Sequence, residues 1–565
     1  MELVIVESPK KAKEIAHFLG SGYIVKASMG HFKDLPQKEL GVDLNTYEPV
    51  FDFLDAKHKE VFKEIYNLAK SDKVTKIYIA TDPDREGYAI ATMLYEELKK
   101  TKKPIYRVEF REITKKHVLE QLKSGAVPFE QTNKGLFKAF LGRRVGDRLV
   151  GYLLSPKHSQ KLKSFYSVGR VQSPAVRIVV EREREIQNFK PTPYYVISAL
   201  LEKDKIQFKA FYDVKGRLED KSQAEKIYND IKDEKTATVV SVEKKEVKQS
   251  PSPPFTTSTL QQASSLKLRF APEKTMQLAQ NLFEAGLITY HRTDSVRMSD
   301  EAVQGVRDLI LKLYGKNYLP AQPRMYKSKN TQADAHEGIR ITHFVPLEEQ
   351  QRLINEKQLT EDHFKLLKLI YERTLACQMV DAVFDRTIVK LDIKSYPFKA
   401  TGSVLKFNGF LAVYQEAVED DKQDEAENDK QKLPELKSGD KANILKIENQ
   451  EKWTEPPPRY SEASLVRKLE ELGIGRPSTY ASIMKTIKER NYVVVEKGKL
   501  KPTERGYALV DSLKETDEYV IDYNFTKEME QFLDDVEENK KDWKEFVKII
   551  HGKIGYVDLT KKFGG

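Results

Sequence analysis

Residues 76–87, KIYIATDPDREG, decide how the N-terminal part of this chain is read. A short run rich in β-branched residues leads into three interleaved carboxylates, Asp82, Asp84 and Glu86. The stretch that follows, GYAIATMLYEELKK, has apolar residues at helical spacing. Strand, acidic turn and helix make an α/β unit, and ligand sites in such units lie beyond the carboxyl ends of strands. Carboxylates crowded there repel one another by ~4 kcal/mol per pair at ~4 Å and an effective dielectric of ~20, unless a cation joins them. Oxygen-only ligands select Mg2+. The plainer reading is a solvated acidic turn. Glu7, which closes a second strand pattern, ELVIVES, shifts the balance toward a metal site of Glu7, Asp82, Asp84 and Glu86.

Working outward, GYIVKAS and PIYRVEF read as further strands, with DAKHKEVFKEIYNLAKS as a helix between strands. Residues 1–125 are therefore expected to form an α/β domain with a largely parallel sheet. Residues 126–190 read as helical. Strand patterns occupy 191–250 and return at 383–451, so these two pieces are expected to make one β-rich domain, interrupted by a helical domain at 251–382. Residues 452–565 are assigned with 126–190. Two segments, 256–292 and 461–503, read as helix-turn-helix units with a strand following, although each alone could be an ordinary helical hairpin. Residues 416–432 carry eight carboxylates and three lysines and read as a solvated loop.

The chain has 565 residues, and Lys+Arg exceed Asp+Glu by 96 − 86 = 10 charges. That balance fits an anionic partner. A single cysteine, Cys377, excludes an intrachain disulfide framework and a four-cysteine zinc site, and points to a reducing, cytoplasmic setting. The N-terminus reads as a strand and not a signal peptide, and no apolar run reaches the ~18 residues of a membrane span.

The second decisive stretch is GLITYHRTDS, residues 286–295. Tyr290 is one of 27 tyrosines, so a core aromatic is the starting assumption. If the segment is an extended strand, Arg292 shares its face, and its planar fork suits phosphate oxygens. Lys11 and His31 follow the first two strands, and either alone could be a surface lysine or a turn histidine.

Taken in order, VIVESPKKAK, MGHFKDLP, ATDPDREGYAIA, RRVGDRLVGY, SVGRVQSPAV, FTTSTLQQ, GLITYHRTDS, AHEGIRIT and EPPPRYSEASLVRKLEELGIGRPSTYASI closely resemble the motif series of type IA DNA topoisomerases, over residues 1 to about 510. The resemblance implies an N-terminal toprim domain, winged-helix-like helical domains and a β-rich hinge, four domains arranged as a torus. It implies an ATP-independent monomer, localised to the cytoplasm with the nucleoid, that cleaves one DNA strand through a 5′-phosphotyrosine and relaxes negative supercoils. In keeping with this, no GxxxxGK(S/T) loop occurs. The catalytic residues it implies are Tyr290, Arg292, Glu7, Lys11 and His336, with Mg2+ as cofactor. Its implied contacts to single-stranded DNA are His31, Arg143, Arg144, Asp147, Arg148, Ser167, Val168, Gly169, Arg170, Val171, Gln172, Arg292, Arg476, Ser478 and Thr479.

Two departures stand out. The family usually has a carboxylate where this chain has Tyr88, which is expected to weaken attraction for the metal slightly. His291 replaces a common methionine, as in reverse gyrase, but no helicase-like module accompanies it. The rival readings are a decatenating relative, a non-catalytic single-strand-binding protein, and a toprim nuclease or primase.

Overall fold

The computed structural model describes residues 1–328, 336–416 and 431–555. Most of the acidic stretch at 416–432 therefore lies outside the described residues.

Strands Tyr23–Ala27, Glu2–Val6, Lys76–Ile79 and Ile105–Arg107 lie side by side in that order and run parallel, with the short Val127–Pro128 antiparallel at the edge. Side chains alternate along a strand, so each strand divides its residues between the two faces. Leu3, Ile5, Ile77 and Ile79 enter one core, while Val4, Val6, Tyr78 and Ala80 enter another. Both faces are buried, which is why these strands are continuous apolar runs.

The first core joins the helices Ala56–Lys70 and Arg85–Leu98 to Gly135–Leu149, Gln172–Asn188 and the C-terminal helices Tyr523–Glu537 and Trp543–Ile554. Apolar residues of Glu462–Leu472 and Tyr480–Glu489 enter the same core, and the hairpin Val493–Glu496 with Lys499–Pro502 follows as a wing. The second core joins the opposite sheet face to Thr257–Leu268, Pro272–Glu284, Asp300–Tyr314 and Glu361–Ala376. The N-terminal sheet is thus a partition, with one helical assembly on each side.

The third core is separate. Six strands close a barrel in the order Thr236–Gln249, Ala382–Ile393, Tyr396–Phe407, Ile206–Tyr212, Pro193–Lys203 and Lys441–Trp453. Its strands come from both sides of the helical stretch that carries Tyr290, so that stretch leaves and re-enters the barrel. No described helix is long and apolar enough to cross a membrane.

One expectation fails. The segment holding Tyr290 is not a strand: Ile288 makes a single bridge to Ile341, and no ladder follows. Its backbone groups turn elsewhere. Thr289 N donates to Arg340 O at 2.9 Å, Tyr290 N donates to Arg111 O at 2.9 Å, and Thr257 Oγ1 donates to His291 O at 2.8 Å.

Candidate active site

The acidic turn is built by local rules. Asp84 caps the helix Arg85–Leu98 by accepting from Gly87 N at 2.8 Å. A Cβ on Gly87 would lie 2.1 Å from Asp82 O, so no side chain fits there. The buried Arg107 guanidinium gathers the carbonyls of Ile79, Thr81, Asp82 and Val108 at 2.6–3.1 Å. Glu7, just past the first strand, accepts from Asp82 N at 2.8 Å. These contacts lock the turn against two strand ends.

Lys11 lies in the helix Pro9–Leu19, is buried, pairs with Asp82, and has its ammonium 5.2 Å from the centre of the Phe283 ring. Burial pulls its pKa down, but the charges of Asp82 and Glu7 outweigh burial and hold it above the usual lysine value. Glu7 is driven the other way: burial, then the charge of Asp82, pushes its carboxyl up to about 8. Burial and its neighbours thus favour the neutral form of Glu7 and the charged form of Lys11.

Tyr290 approaches from the second helical assembly. Its hydroxyl donates to Asp84 Oδ2 at 2.7 Å, and Arg292 Nη1 donates to the same oxygen at 3.1 Å. Only 5% of Tyr290 is exposed, and its ring meets Phe283 edge to face. Burial, then the charges of Asp84 and Asp82, raises the phenol well above its ordinary value. Burial also opposes ionisation of Asp84, but the Arg292 charge and the Tyr290 hydrogen bond overcome it and keep the carboxyl below its usual range. His336 shares the same cleft, and burial lowers its pKa.

The cleft runs on past Glu86 to the first helical assembly. Arg143 donates to Glu86 Oε1 at 3.1 Å and to Ser478 Oγ at 3.4 Å. Arg476 lines the cleft and holds Asp534 Oδ2 at 2.6 Å. Further back, Arg144 grips Asp34 through two bonds of 2.8 and 2.9 Å, and Arg148 reaches Leu35 O at 3.5 Å. His31 stacks on Phe140. Ser167 N donates to Tyr492 Oη at 2.7 Å, Gly169 N donates to Ser173 Oγ at 3.1 Å, and Gln172 Nε2 donates to Ser167 Oγ at 3.5 Å. Val171 immediately precedes the helix Gln172–Asn188, makes no side-chain cap and stays partly open.

Several expected contact residues already have partners within the protein. Arg170 is buried between Asp147, at 2.9 Å, and Glu530. Val168 is buried and its N–H donates to Ser155 Oγ. Thr479 is buried, and its hydroxyl accepts from Arg476 N at 2.8 Å. For Arg170 and Arg476 the counter-charges come from the helix Tyr523–Glu537, through Glu530 and Asp534. The same helix, with the residue after the expected ligand Asp84, adds groups that sequence reasoning missed: Arg85 lies in the cleft wall bound to Asp534 and Glu537. Its place inside DPDREG was the available signal; the acidic helix offered none.

Tyr88 is also placed differently from expectation. Its hydroxyl donates to Glu109 at 2.8 Å, its ring lies 4.6 Å from the Arg107 guanidinium carbon, and it lines a separate cleft from Asp84 and Glu86. Burial, then the Glu109 charge, pushes the phenol up to about 12.

The donors fit a hard cation in kind: all are oxygens, and Glu86 Oε2 is buried without a hydrogen-bond partner. Among the described residues, no three candidate ligands converge on one point. Asp82, Asp84 and Glu86 each face a basic side chain, so the set would have to turn inward to share an ion.

Residues 2–113 match the Toprim domain, a metal-binding fold, and residues 131–548 match the DNA topoisomerase family. The chain is 42% identical to DNA topoisomerase 1 of Aquifex aeolicus over 98% of its own length and 99% of that protein. It is 42% identical to DNA topoisomerase 1 of Zymomonas mobilis, over 96% of its own length and 45% of that protein. Full-length topoisomerase I from Thermotoga maritima superposes with a TM-score of 0.86 at 35% identity, covering 99% of this chain and 91% of that one.

Proposed function

The chain belongs to the type IA DNA topoisomerase family, and from that premise we propose that it relaxes negatively supercoiled DNA by transesterification at Tyr290. The observation that carries this reading is the shared Asp84 oxygen, on which the Tyr290 hydroxyl and the Arg292 guanidinium meet at 2.7 and 3.1 Å. A phosphate entering there exchanges places with Asp84 on the Arg292 fork. The phenol gives up its proton, with Asp84 as the acceptor already in contact, and its oxygen bonds to phosphorus. The bond from phosphorus to the 3′ oxygen breaks, and that oxygen takes a proton from Lys11, or from Glu7 when Glu7 is not ligating the metal. Resealing runs the same steps backwards, and because the phosphotyrosine keeps the bond energy no ATP is consumed. In this reading Mg2+ would be held by Glu7, Asp82, Asp84 and Glu86 and would supply positive charge to the reacting phosphate.

The DNA is single-stranded or locally unpaired and is held mainly through its phosphates, with Arg143, Arg476 and Ser478 next to the reacting centre. The protein acts as a monomer. Tyr290→Phe removes one oxygen and should abolish covalent capture of a labelled single-stranded oligonucleotide under denaturing conditions, while single-strand affinity stays within about twofold. An adduct formed by the Phe protein would place the nucleophile elsewhere. Relaxation and decatenation assays run side by side would separate this reading from a decatenase.

A further inference from the structure

Phe165 lies two residues before Ser167 and is 60% exposed, an unusual state for a large apolar ring. It is not loose. Arg505 donates to Phe165 O at 2.5 Å, to Ser164 Oγ at 3.3 Å and to Arg490 O at 3.4 Å, and its guanidinium carbon lies 4.4 Å from the centre of the Tyr166 ring. Tyr166 is buried against Tyr492, which in turn holds Ser167. The exposed ring therefore projects from a fixed base. Arg490, exposed at the end of the helix Tyr480–Glu489, sits over it with its guanidinium carbon 5.2 Å from the ring centre. Among the described residues, neither Arg490 nor Arg505 takes part in an ion pair.

A rigid exposed aromatic beside an uncommitted guanidinium matches the chemistry of one nucleotide, a base for the ring and a phosphate for the charge. We propose that Phe165 and Arg490 form a stacking platform for one base of single-stranded DNA, beside the expected contact residues Ser167 and Gln172. The platform rests on the topoisomerase reading and adds a contact outside the motif residues. Stacking tolerates any base, so it lengthens the footprint on DNA without adding strong sequence preference.

The test uses the full chain and single-stranded oligonucleotides carrying one 2-aminopurine, moved base by base along the strand, with covalent capture measured in the same samples to locate the cut. The expected result is quenching at one position upstream or downstream of the cut, lost in Phe165→Ala and kept in Phe165→Tyr. Affinity of Phe165→Ala for strands covering that position should fall about tenfold, and Arg490→Ala should reduce the salt slope by about 0.7, one phosphate's share. If the natural chain forms the adduct but its quenching profile and affinity match those of Phe165→Ala, the platform is wrong and the topoisomerase reading stands. If the natural chain forms no adduct, the topoisomerase reading fails and takes the platform with it.

Discussion

At residue 88, one hydrogen bond decides between two accounts. A neutral phenol in place of a carboxylate suggested weaker metal attraction, but the hydroxyl is spent on Glu109 and faces a different cleft from Asp84 and Glu86. Tyr88→Phe should therefore leave the half-saturating Mg2+ concentration for relaxation unchanged within about twofold, because it alters no charge. Tyr88→Glu should instead lower the melting temperature, because it sets a second carboxylate against Glu109. Mg2+ titrations at fixed ionic strength and thermal melts check both; a large shift in the titration of the Phe protein would return Tyr88 to the metal site. The residues that meet at the candidate site, Tyr290, Arg292, Asp84 and Glu86, were legible because their neighbours in sequence announce them. Arg170 was not, since nothing near it in sequence shows that Glu530 will meet it from 360 residues away.

At the scale of elements, two joints matter. Gly286 follows the helix Pro272–Glu284 with φ +75°, and a Cβ there would lie 2.2 Å from Ile113 O, across the boundary with the N-terminal sheet domain. Gly286→Ala should cost about 1–3 kcal/mol in stability and slow cleavage, because relief requires moving the turn that leads to Tyr290. Melting and adduct-formation rate measure the two effects, and an unchanged rate would mean the turn does not position the tyrosine.

The second joint is the helix Tyr523–Glu537, which ties Arg170 and Arg476 through Glu530 and Asp534. Burial works against the Glu530 charge, yet Arg170, then Arg476 and Arg143, bring its carboxyl down to about 2. Its stabilising share is fully present above about pH 4.5, the ordinary value, and is lost as pH falls through about 2. Glu530→Gln should cost about 3–5 kcal/mol near neutral pH by leaving Arg170 underpaired, and its melting temperature should depend less on pH below 4.5. Parallel acid melts of both proteins test this.

Across the whole molecule, charge and core place the reaction. The excess of 10 positive charges is spread over the chain, but much of the cleft's positive charge is already paired, as Arg144 is with Asp34 and Arg476 with Asp534. Paired arginines release fewer counterions from DNA, so the salt dependence of single-strand binding should be real but shallower than a count of arginines gives. Roughly three to five phosphates, at about −0.7 each, set a log–log slope of roughly −2 to −3.5. Anisotropy of a labelled oligonucleotide from about 50 to 200 mM salt measures it, and a flat response would remove the phosphate-based account.

Sequence by itself determined what depends on neighbours along the chain. It set the apolar runs of the parallel sheet, the cap and glycine of the DPDREG turn, the helix pairs, and the tyrosine with its arginine. Tertiary structure alone decided what depends on meetings between distant segments. The strands on either side of the tyrosine-bearing helices close into one barrel because neither set can satisfy its edge hydrogen bonds alone. Tyr290 leaves strand geometry because Arg111 and Thr257 claim the backbone groups of its segment. Some arginines face the cleft and others are buried because a C-terminal acidic helix supplies the counter-charges, and burying a charge is tolerable only where such a partner waits.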